Sequence, residues 1–300
     1  MNLIEIMKRW PDQETAMSHL ERVRWGGRPL CPYCKSDKVC SHASKDKHLA
    51  RWQCQDCHRA FSATVGTIFH HTHLPLQTWF MAMALMLNAK KNVSNAQLGR
   101  DLNLPYKTAW SLCLRIRTAM LTDPDQKRLF HGIVEMDETY VGGKPRKGNG
   151  PLNAKPHAKR GRGTDKMPVV GIVERNGRAR AKVFAKGSLT MANLNSFYKS
   201  VVDARASIAI TDEYTGYLGL KGITQHFAIN HREAYVVGDT HTNTVEGFWA
   251  LVKRAWYGSH HHYSTKWGDH YISETAYKYS NRKNDNTFGD LMRHMAGVAA

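Results

Sequence analysis

The segment Gly132-Ile-Val-Glu-Met-Asp-Glu-Thr-Tyr-Val-Gly-Gly143 decides the fold of the second half of this 300-residue chain. It is a strand-like run that ends in two glycines. Asp137 lies inside it, where burying a carboxylate is costly unless something compensates the charge, and a bound metal ion is one such compensation. The alternative is a polar residue on an exposed face of the strand. The segment therefore predicts a strand that carries a candidate metal ligand.

Further strand-like runs follow at residues 169–173 and 207–211, separated by helical segments, which predicts an α/β domain from about residue 130 onward. Asp212 comes directly after the second of these runs, and strand ends commonly present site residues. The alternative for Asp212 is turn chemistry, because Asp is favoured in turns.

Glu246 lies in the segment 242–254, whose apolar residues have helical spacing. The alternative for Glu246 is a structural role in a capping box, because it follows Asn243, a candidate N-cap, by three residues. Lys253 follows Glu246 by seven residues and shares its face of the helix.

Together the three acids predict more than each does alone. Asp137, Asp212 and Glu246 could converge on a pair of Mg²⁺ or Mn²⁺ ions, which prefer carboxylate oxygens. Two such ions activate the attacking oxygen and stabilise the leaving oxygen in phosphoryl displacement. Lys253 would then be placed to meet a phosphate.

Two CxxC pairs precede this domain, with nineteen residues between them. Two such knuckles supply the tetrahedral sulfur cage that suits structural Zn²⁺, with Trp52 and Phe61 packing beneath it. Redox CxxC motifs are the alternative, but they come singly beside a βαβ pattern. Cys40 and Cys113 are expected to be bystanders, while His42 or His48 could replace a ligand. The predicted zinc ligands are Cys31, Cys34, Cys54 and Cys57.

Between the ribbon and the α/β domain, residues 94–101 predict a short helix, 102–104 a turn and 105–120 a second helix. One face of the second helix is an apolar stripe, and Lys107, Ser111 and Arg115 fall on the opposite side. A helix of this kind can enter a DNA major groove. An ordinary three-helix packing unit is the alternative. The stripe comprises Ala109, Leu112, Cys113, Ile116, Ala119 and Met120.

The charge and hydropathy of the chain indicate which classes of partner it binds. Lys and Arg number 43 against 25 Asp and Glu, a net charge of +18, and this favours a polyanionic partner such as nucleic acid. The longest strongly apolar run, residues 79–87, is too short to span a membrane. Because the N-terminus lacks a secretory signal, we expect a cytoplasmic, nucleoid-associated bacterial protein that does not bind membranes.

Three motifs in order carry a family resemblance: residues 137–143 (DETYVGG), 211–214 (TDEY) and 241–249 (HTNTVEGFW), the last followed by Lys253 and Arg254. With the cysteine pairs before them, they resemble the DDE transposases of bacterial insertion sequences, most closely the ISXO-like group with an N-terminal zinc ribbon. The likeness covers nearly the whole chain.

The resemblance implies an RNase H-like catalytic domain in which Asp137, Asp212 and Glu246 form the metal-binding triad. Lys253 matches a DNA-contact position and Arg254 adjoins it. His241 and Asn243 match the motif as possible neighbours of the site. Two further features fit the family. The His260, His261 and His262 stretch has no assigned role. A basic loop at residues 144–166 could grip DNA or be disordered.

The sequence thus predicts an α+β multidomain chain: a helical arm at 1–28, a zinc ribbon at 29–64, a helix-turn-helix region at 65–125 and an RNase H-like domain at 130–300. The expected function is Mg²⁺-dependent cleavage and strand transfer of double-stranded DNA at element ends and target. Joining two ends requires at least a dimer on DNA. Alternatives are a DNA-binding regulator without catalysis and a hydrolytic nuclease that cuts without joining.

Overall fold

The computed structural model describes residues 1–42, 51–143, 164–229 and 241–298. The chain forms two compact units. The first comprises Met1–Pro124 and Asn284–Ala300, and the second Asp125–Lys283. No helix in the described part of the chain has the length and apolar character needed to cross a membrane.

The first unit begins with helices α1 (Leu3–Arg9) and α2 (Gln13–Trp25). Each starts at a capping box, in which the side chain of Asn2 or Asp12 accepts a hydrogen bond from a backbone N–H of the first turn. Helix α2 ends at Gly26, whose φ of 62° is the left-handed conformation that glycine adopts without strain. These local signals fix where the predicted helical arm starts and stops.

Three short strands, β1 (Val39–Ser41), β2 (Trp52–Cys54) and β3 (Ala60–Phe61), follow as an antiparallel sheet. Trp52 pairs with Phe61 across β2 and β3. Phe61 is buried against the cysteines and packs edge-on against Trp25 at a ring-centroid distance of 5.9 Å. The small core therefore lies beneath the cysteine knuckles, as the sequence predicts.

The next three helices are α3 (Leu76–Asn88), α4 (Asn95–Asp101) and α5 (Tyr106–Thr122). The Ser94 hydroxyl caps α4 by accepting from the Gln97 N–H, and Asn103 makes the turn to α5 with a φ of 50°. The predicted stripe of α5 is wholly buried. The two predicted helices and the turn between them are thus present in the structure, while their use as a DNA-binding helix-turn-helix stays a prediction.

The last helix, α9 (Thr287–Met295), packs in the first unit. The Phe288 ring stacks near Trp10, and the Met295 carbonyl accepts from the Ile68 N–H at 3.1 Å. This differs from the expected boundary, which placed residues up to 300 in the catalytic domain. The helix is amphipathic, and its apolar face is buried among helices that lie far away in sequence, so local pattern does not specify its destination.

The second unit is built on a five-stranded mixed sheet in the order β6-β5-β4-β7-β8. Strands β4, β5 and β6 are antiparallel, whereas β7 and β8 run parallel to β4. Helix α6 (Met191–Val201) crosses from β6 to β7. This topology is that of the RNase H-like fold, so the predicted fold class is confirmed. The strands are β4 (Phe130–Val141), β5 (Met167–Glu174), β6 (Ala179–Val183), β7 (Val202–Asp212) and β8 (Gln225–Ile229).

Helical layers cover both faces of this sheet. Helix α6 and the 3₁₀ segment Thr215–Gly222 close a core that includes Met136 of β4. Helices α7 (Asn243–Ala255) and α8 (Gly268–Ser280) close a second core on β5, with a π-helical turn at Trp256–His260 after α7. Because successive strand residues point to opposite faces, β4 presents alternate side chains to the two layers.

Candidate active site

Two of the predicted acids come together at the carboxyl ends of neighbouring parallel strands. Glu135 of β4 pairs with Ile210 of β7, so two residues further along Asp137 reaches the level of Asp212. Glu138 joins them, and ligand oxygens of these three carboxylates all lie within 4.8 Å of one another. Such a donor set fits a hard divalent cation, since Mg²⁺ and Mn²⁺ take carboxylate oxygens.

The crowding of negative charge perturbs Asp137. Burial, followed by the charges of Glu138 and Asp212, raises the pKa of this carboxyl to about 7. The Trp249 indole N–H acts the other way, because it donates to Asp137 Oδ2 at 2.9 Å. A bound cation would favour the charged form of the same group.

Trp249 reaches Asp137 over a glycine. Gly171 of β5 is the residue paired with Asp137 in the β4–β5 ladder. A Cβ atom on Gly171 would lie 2.6 Å from Cη2 of Trp249, closer than real Cβ contacts allow. The indole therefore occupies the space that any other residue at position 171 would fill, which explains a glycine in the middle of a buried strand.

The other two carboxylates are also held by hydrogen bonds. The buried Tyr217 hydroxyl donates to Glu138 Oε2 at 2.7 Å, and burial followed by the nearby negative charges keeps the pKa of that phenol well above its ordinary value. The Tyr214 N–H donates to Asp212 Oδ1 at 3.0 Å. Tyr217 thus stays a protonated donor that orients Glu138.

Glu246 stands apart from this cluster. It lies on α7, is exposed, and is not a member of the three-carboxylate group. Its Oε1 accepts from the Thr242 hydroxyl at 3.4 Å. Trp249, which contacts Asp137, follows Glu246 by three residues, so the two neighbour each other on the helix surface. The structure thus brings Asp137 and Asp212 together and leaves Glu246 one turn from the Asp137 contact.

The capping-box alternative for Glu246 does not form. The N-cap of α7 is Thr242 rather than Asn243, and it makes no side-chain cap hydrogen bond. Asn243 is exposed at the first helical position. The carboxylate of Glu246 is consequently not occupied in closing the start of its own helix.

The four cysteines of the first unit form a separate cluster. Their sulfur atoms lie within 4.8 Å of one another, with 3.6 Å between Cys31 and Cys57 and 3.5 Å between Cys34 and Cys54. Zn–S bonds of about 2.3 Å in a tetrahedron place sulfur atoms about 3.8 Å apart, so the donor set fits Zn²⁺. The Cys57 N–H donates to Cys54 and is the largest cause lowering the pKa of that thiol to about 7.

Other metal-binding candidates stand outside this group. Cys40 Sγ contacts the Gln53 carbonyl, Cys113 is buried in α5, and His42 is not among the clustered ligands. His48 lies outside the described residues. The same holds for residues 144–163 of the predicted basic loop.

The predicted DNA-facing side of α5 is divided. Lys107 and Ser111 are exposed. Arg115 instead donates to the His70 carbonyl, and its guanidinium lies 5.1 Å from the centre of the Trp79 ring. Burial lowers the pKa of Arg115. Sequence analysis did not predict that Arg115 contacts the protein interior, because a helical wheel does not show which other elements pack against the edge of the apolar stripe.

Comparison with known families decides the identity. Residues 130–280, half of the chain, match the model of the ISXO2-like transposase domain, and residues 11–60 match the transposase zinc-ribbon domain. The chain belongs to the ISXO2-like transposase family. The resemblance drawn from the three sequence motifs and the cysteine pairs is thereby confirmed.

Proteins similar to this chain include a curated relative and two solved structures. An uncharacterized protein in transposable element ISH50 of Halobacterium salinarum is 29% identical over 262 residues, which cover 85% of this chain and 86% of the relative. Crystal structures of a pre-cleavage Mos1 transpososome and a Mos1 strand transfer complex, each 14% identical, cover 73% of this chain and 78% and 75% of theirs. Their TM-scores of 0.28 and 0.29 are too low to support an argument.

The remaining motif residues of the transposase lie around α7. His241 is half-buried before the helix, and its backbone carbonyl accepts from Arg175 at 2.9 Å. Lys253 and Arg254 are exposed in the last turn of α7. His260 packs edge-on against Tyr271 with ring centroids 4.8 Å apart, whereas His261 and His262 are exposed.

Sequence reasoning missed Glu135, a wholly buried carboxylate on β4. It accepts hydrogen bonds from the first turn of α7 and pairs with Arg175 at 2.7 Å. One signal was available, since Glu135 and Asp137 share one face of a strand and two acids on a buried face need partners. The partner elements, however, are distant in sequence.

Proposed function

We propose that this transposase binds the terminal inverted repeats of its own insertion sequence and catalyses metal-dependent cleavage and transfer of DNA strands. The observation that carries the proposal is the gathering of Asp137, Glu138 and Asp212 at the ends of two parallel strands in a chain of this family. Carboxylates crowded in this way need a cation to remain charged together.

Asp137 and Asp212 hold the catalytic ions, and Glu246 supplies the third carboxylate from α7. Bound Mg²⁺ or Mn²⁺, as a pair of ions, would activate the attacking oxygen and stabilise the leaving one. Glu246 would have to turn away from Thr242, its present partner, and its helix contacts Asp137 through Trp249. Glu138, held by Tyr217, supplies a further oxygen beside the two aspartates.

The reaction consists of two in-line displacements at phosphorus. Water attacks a phosphodiester at the element end and breaks its P–O3′ bond, which frees the element's 3′-hydroxyl and leaves the phosphate on the flanking strand. This hydroxyl then attacks a target phosphodiester, forms a new P–O3′ bond and releases a 3′-hydroxyl of the target strand. No side chain forms a covalent bond to DNA. Lys253 shares a helix face with Glu246, seven residues away, and contacts a backbone phosphate near the reacting one, with Arg254 beside it.

The first unit recognises the DNA ends. Cys31, Cys34, Cys54 and Cys57 bind Zn²⁺, which stabilises the ribbon rather than reacting because all four positions are filled by protein. The exposed start of α5 enters a major groove. The net charge of +18 favours phosphate contacts throughout. Two element ends must be joined in one reaction, so the transposase acts as a dimer or higher oligomer on DNA.

The test incubates duplexes copied from the DNA flanking the gene with the protein, Mg²⁺ and a supercoiled plasmid. Wild type and Asp212→Asn are run side by side on a denaturing gel. We expect Mg²⁺-dependent cutting at the element tip and joined products from the wild type only, because the substitution removes a charged ligand.

The alternatives predict different gels. Cut DNA without joined product would identify a hydrolytic nuclease. Tight binding of the duplex without cutting under Mg²⁺ or Mn²⁺ would identify a DNA-binding regulator and overturn the catalytic assignments. Equal activity of Asp212→Asn and wild type would remove Asp212 from the site.

A further inference from the structure

A buried carboxylate outside the proposed metal-binding set lies at the junction of β4 and α7. Glu135 is 0% exposed and has no part in the reaction described above. Burying a charged carboxylate is strongly unfavourable unless its oxygens are hydrogen-bonded and its charge is paired. The contacts of Glu135 therefore indicate what the residue is retained for.

Three of these contacts come from the start of α7. The backbone N–H groups of Thr244 and Val245 donate to Oε2 at 2.8 and 2.9 Å, and the Thr244 hydroxyl donates to Oε1 at 2.8 Å. Helix N-termini carry unpaired N–H groups and partial positive charge. The N-cap Thr242 makes no side-chain cap bond, and the capping is done by Glu135, a strand residue 109 positions before Thr244.

The remaining contacts neutralise the charge. Arg175, just after β5, donates through Nε to Glu135 Oε1 at 2.7 Å. Its Nη2 donates to the carbonyl of His241 at 2.9 Å and lies 3.1 Å from the Nδ1 of that ring. Arg175 thereby connects the carboxylate to the segment that leads into α7.

Position in the chain connects this arrangement to the active site. Glu135 precedes Asp137 by two residues, so the two share one face of β4. Val245, whose N–H Glu135 binds, immediately precedes Glu246. The second contact between α7 and β4 is at Trp249, whose indole N–H donates to Asp137. Strand β4 thus holds the first two turns of α7 at two points that flank Glu246.

We propose that Glu135 is a positioning residue that fixes the start of α7 on β4, and so sets where Glu246 stands relative to Asp137. The inference rests on the proposed function insofar as Glu246 acts in catalysis. Arg175 supports the same arrangement by neutralising Glu135 and holding His241.

The test compares Glu135→Gln with Glu174→Gln in the full-length zinc-bound protein. Glu174 is a matched control, because it also accepts from backbone N–H groups and pairs with an arginine of the second unit, and these partners, His131 and Arg178, lie outside α7. Amide hydrogen exchange is followed in peptides covering 242–249, without Mg²⁺. We expect exchange there to be about ten-fold faster or more in Glu135→Gln, since charge-assisted bonds are lost, and unchanged in the control.

Activity gives the second readout. With pre-cut element ends, Glu135→Gln should join strands about 100-fold more slowly, the cost of misplacing a catalytic group by about 1 Å. Its dissociation constant for the same ends should equal that of wild type. A purely structural defect would instead lower the joining rate and the amount of end DNA bound together, in proportion to the folded fraction.

The outcomes separate the two proposals. Unchanged exchange at 242–249 in folded Glu135→Gln overturns the positioning role whatever the activity, and so does normal joining despite faster exchange. If Glu135→Gln does not fold, Thr244→Val removes one donor and should show a smaller rise in the same peptides; no rise overturns the inference. A wild type that joins no ends contradicts the proposed function, while the exchange result still decides the role of Glu135.

Discussion

Asp137 is placed by three neighbours that act on it in different ways. The carboxylates of Glu138 and Asp212 repel its charge, while the Trp249 indole donates to it across Gly171. A group in such surroundings gains most from a cation, because the cation removes both the burial cost and the repulsion. The same surroundings make the metal-free protein respond to pH through this residue.

Asp137→Asn should stabilise the metal-free protein above pH 7. The pKa of Asp137 is about 7 when folded and near 3.9 when unfolded, so the native state binds the extra proton between these values. Stability contributed by that proton is lost as pH rises from about 4 to about 7. At about 1.4 kcal/mol per pKa unit, the substitution should raise the unfolding free energy at pH 8 by up to about 4 kcal/mol.

Urea unfolding at pH 4 to 8 without added Mg²⁺ measures this difference. Glu213→Gln is the control, since Glu213 adjoins Asp212 but is exposed. If the unfolding free energies of wild type and Asp137→Asn changed with pH in parallel, the charge of Asp137 would not destabilise the folded protein and the prediction would be wrong.

Gly171→Ala should destabilise the second unit by about 1–3 kcal/mol, the usual cost of overpacking a core. The added Cβ would collide with Trp249 and push the indole away from Asp137. Gly247→Ala is the matched control, because a Cβ there meets nothing within 4 Å and alanine favours the helix. A Gly171→Ala protein as stable as wild type would mean that Trp249 does not pack as described.

At the scale of elements, helix α5 has two kinds of residue: some pack inside the first unit and stabilise it, and others are exposed and available to a ligand. Its apolar stripe is buried, and Arg117 is wholly buried as well, donating to the Asn95 side chain at 2.8 Å. Arg115 contacts His70 and Trp79, whereas Lys107 and Ser111, in the first two turns, are exposed. Recognition of DNA by α5 is therefore expected from its N-terminal end.

Lys107→Ala and Arg115→Ala should differ in their effects, the first on DNA binding and the second on stability. Loss of the exposed Lys107 should weaken binding to element ends and lower the slope of log K against log salt by about one, with no loss of stability. Loss of Arg115 should lower the unfolding free energy by about 1–3 kcal/mol, because the partly buried His70 carbonyl loses its donor and Trp79 loses its cation. Salt-dependent binding and thermal unfolding of both variants measure this; a stable Arg115→Ala with weakened binding would reverse the assignment.

Elements with a strong local pattern could be predicted from the sequence. The knuckle spacing predicts the ribbon, the apolar stripe predicts α5, and the strand-like runs predict β4, β5 and β7. Convergence of Asp137 and Asp212 could be expected from their positions in and after strand-like runs, together with the family resemblance. The capping of α7 by Glu135 could not be predicted, since it joins a strand to a helix 109 residues later. The return of α9 to the first unit depends on tertiary packing in the same way.

On the scale of the whole molecule, the two candidate metal sites lie in different units. The first unit contains the cysteine cluster and the helices α4 and α5, and the second contains the acidic cluster, so we assign DNA binding to the first and catalysis to the second as part of the proposed function. The family match spans both, since residues 11–60 and 130–280 are each recognised. Binding and catalysis should therefore be separable by substitution in one unit at a time.

The most direct test of this account identifies the third carboxylate. Strand joining by pre-cut element ends is measured with Mg²⁺ for Glu246→Gln and Glu138→Gln, with end binding measured in parallel. We predict that Glu246→Gln abolishes joining and leaves binding intact, whereas Glu138→Gln, which keeps an acceptor for Tyr217, retains joining at a reduced rate. Full joining by Glu246→Gln, with loss of joining in Glu138→Gln, would contradict the assignment of Glu246 and make Glu138 the third member of the site.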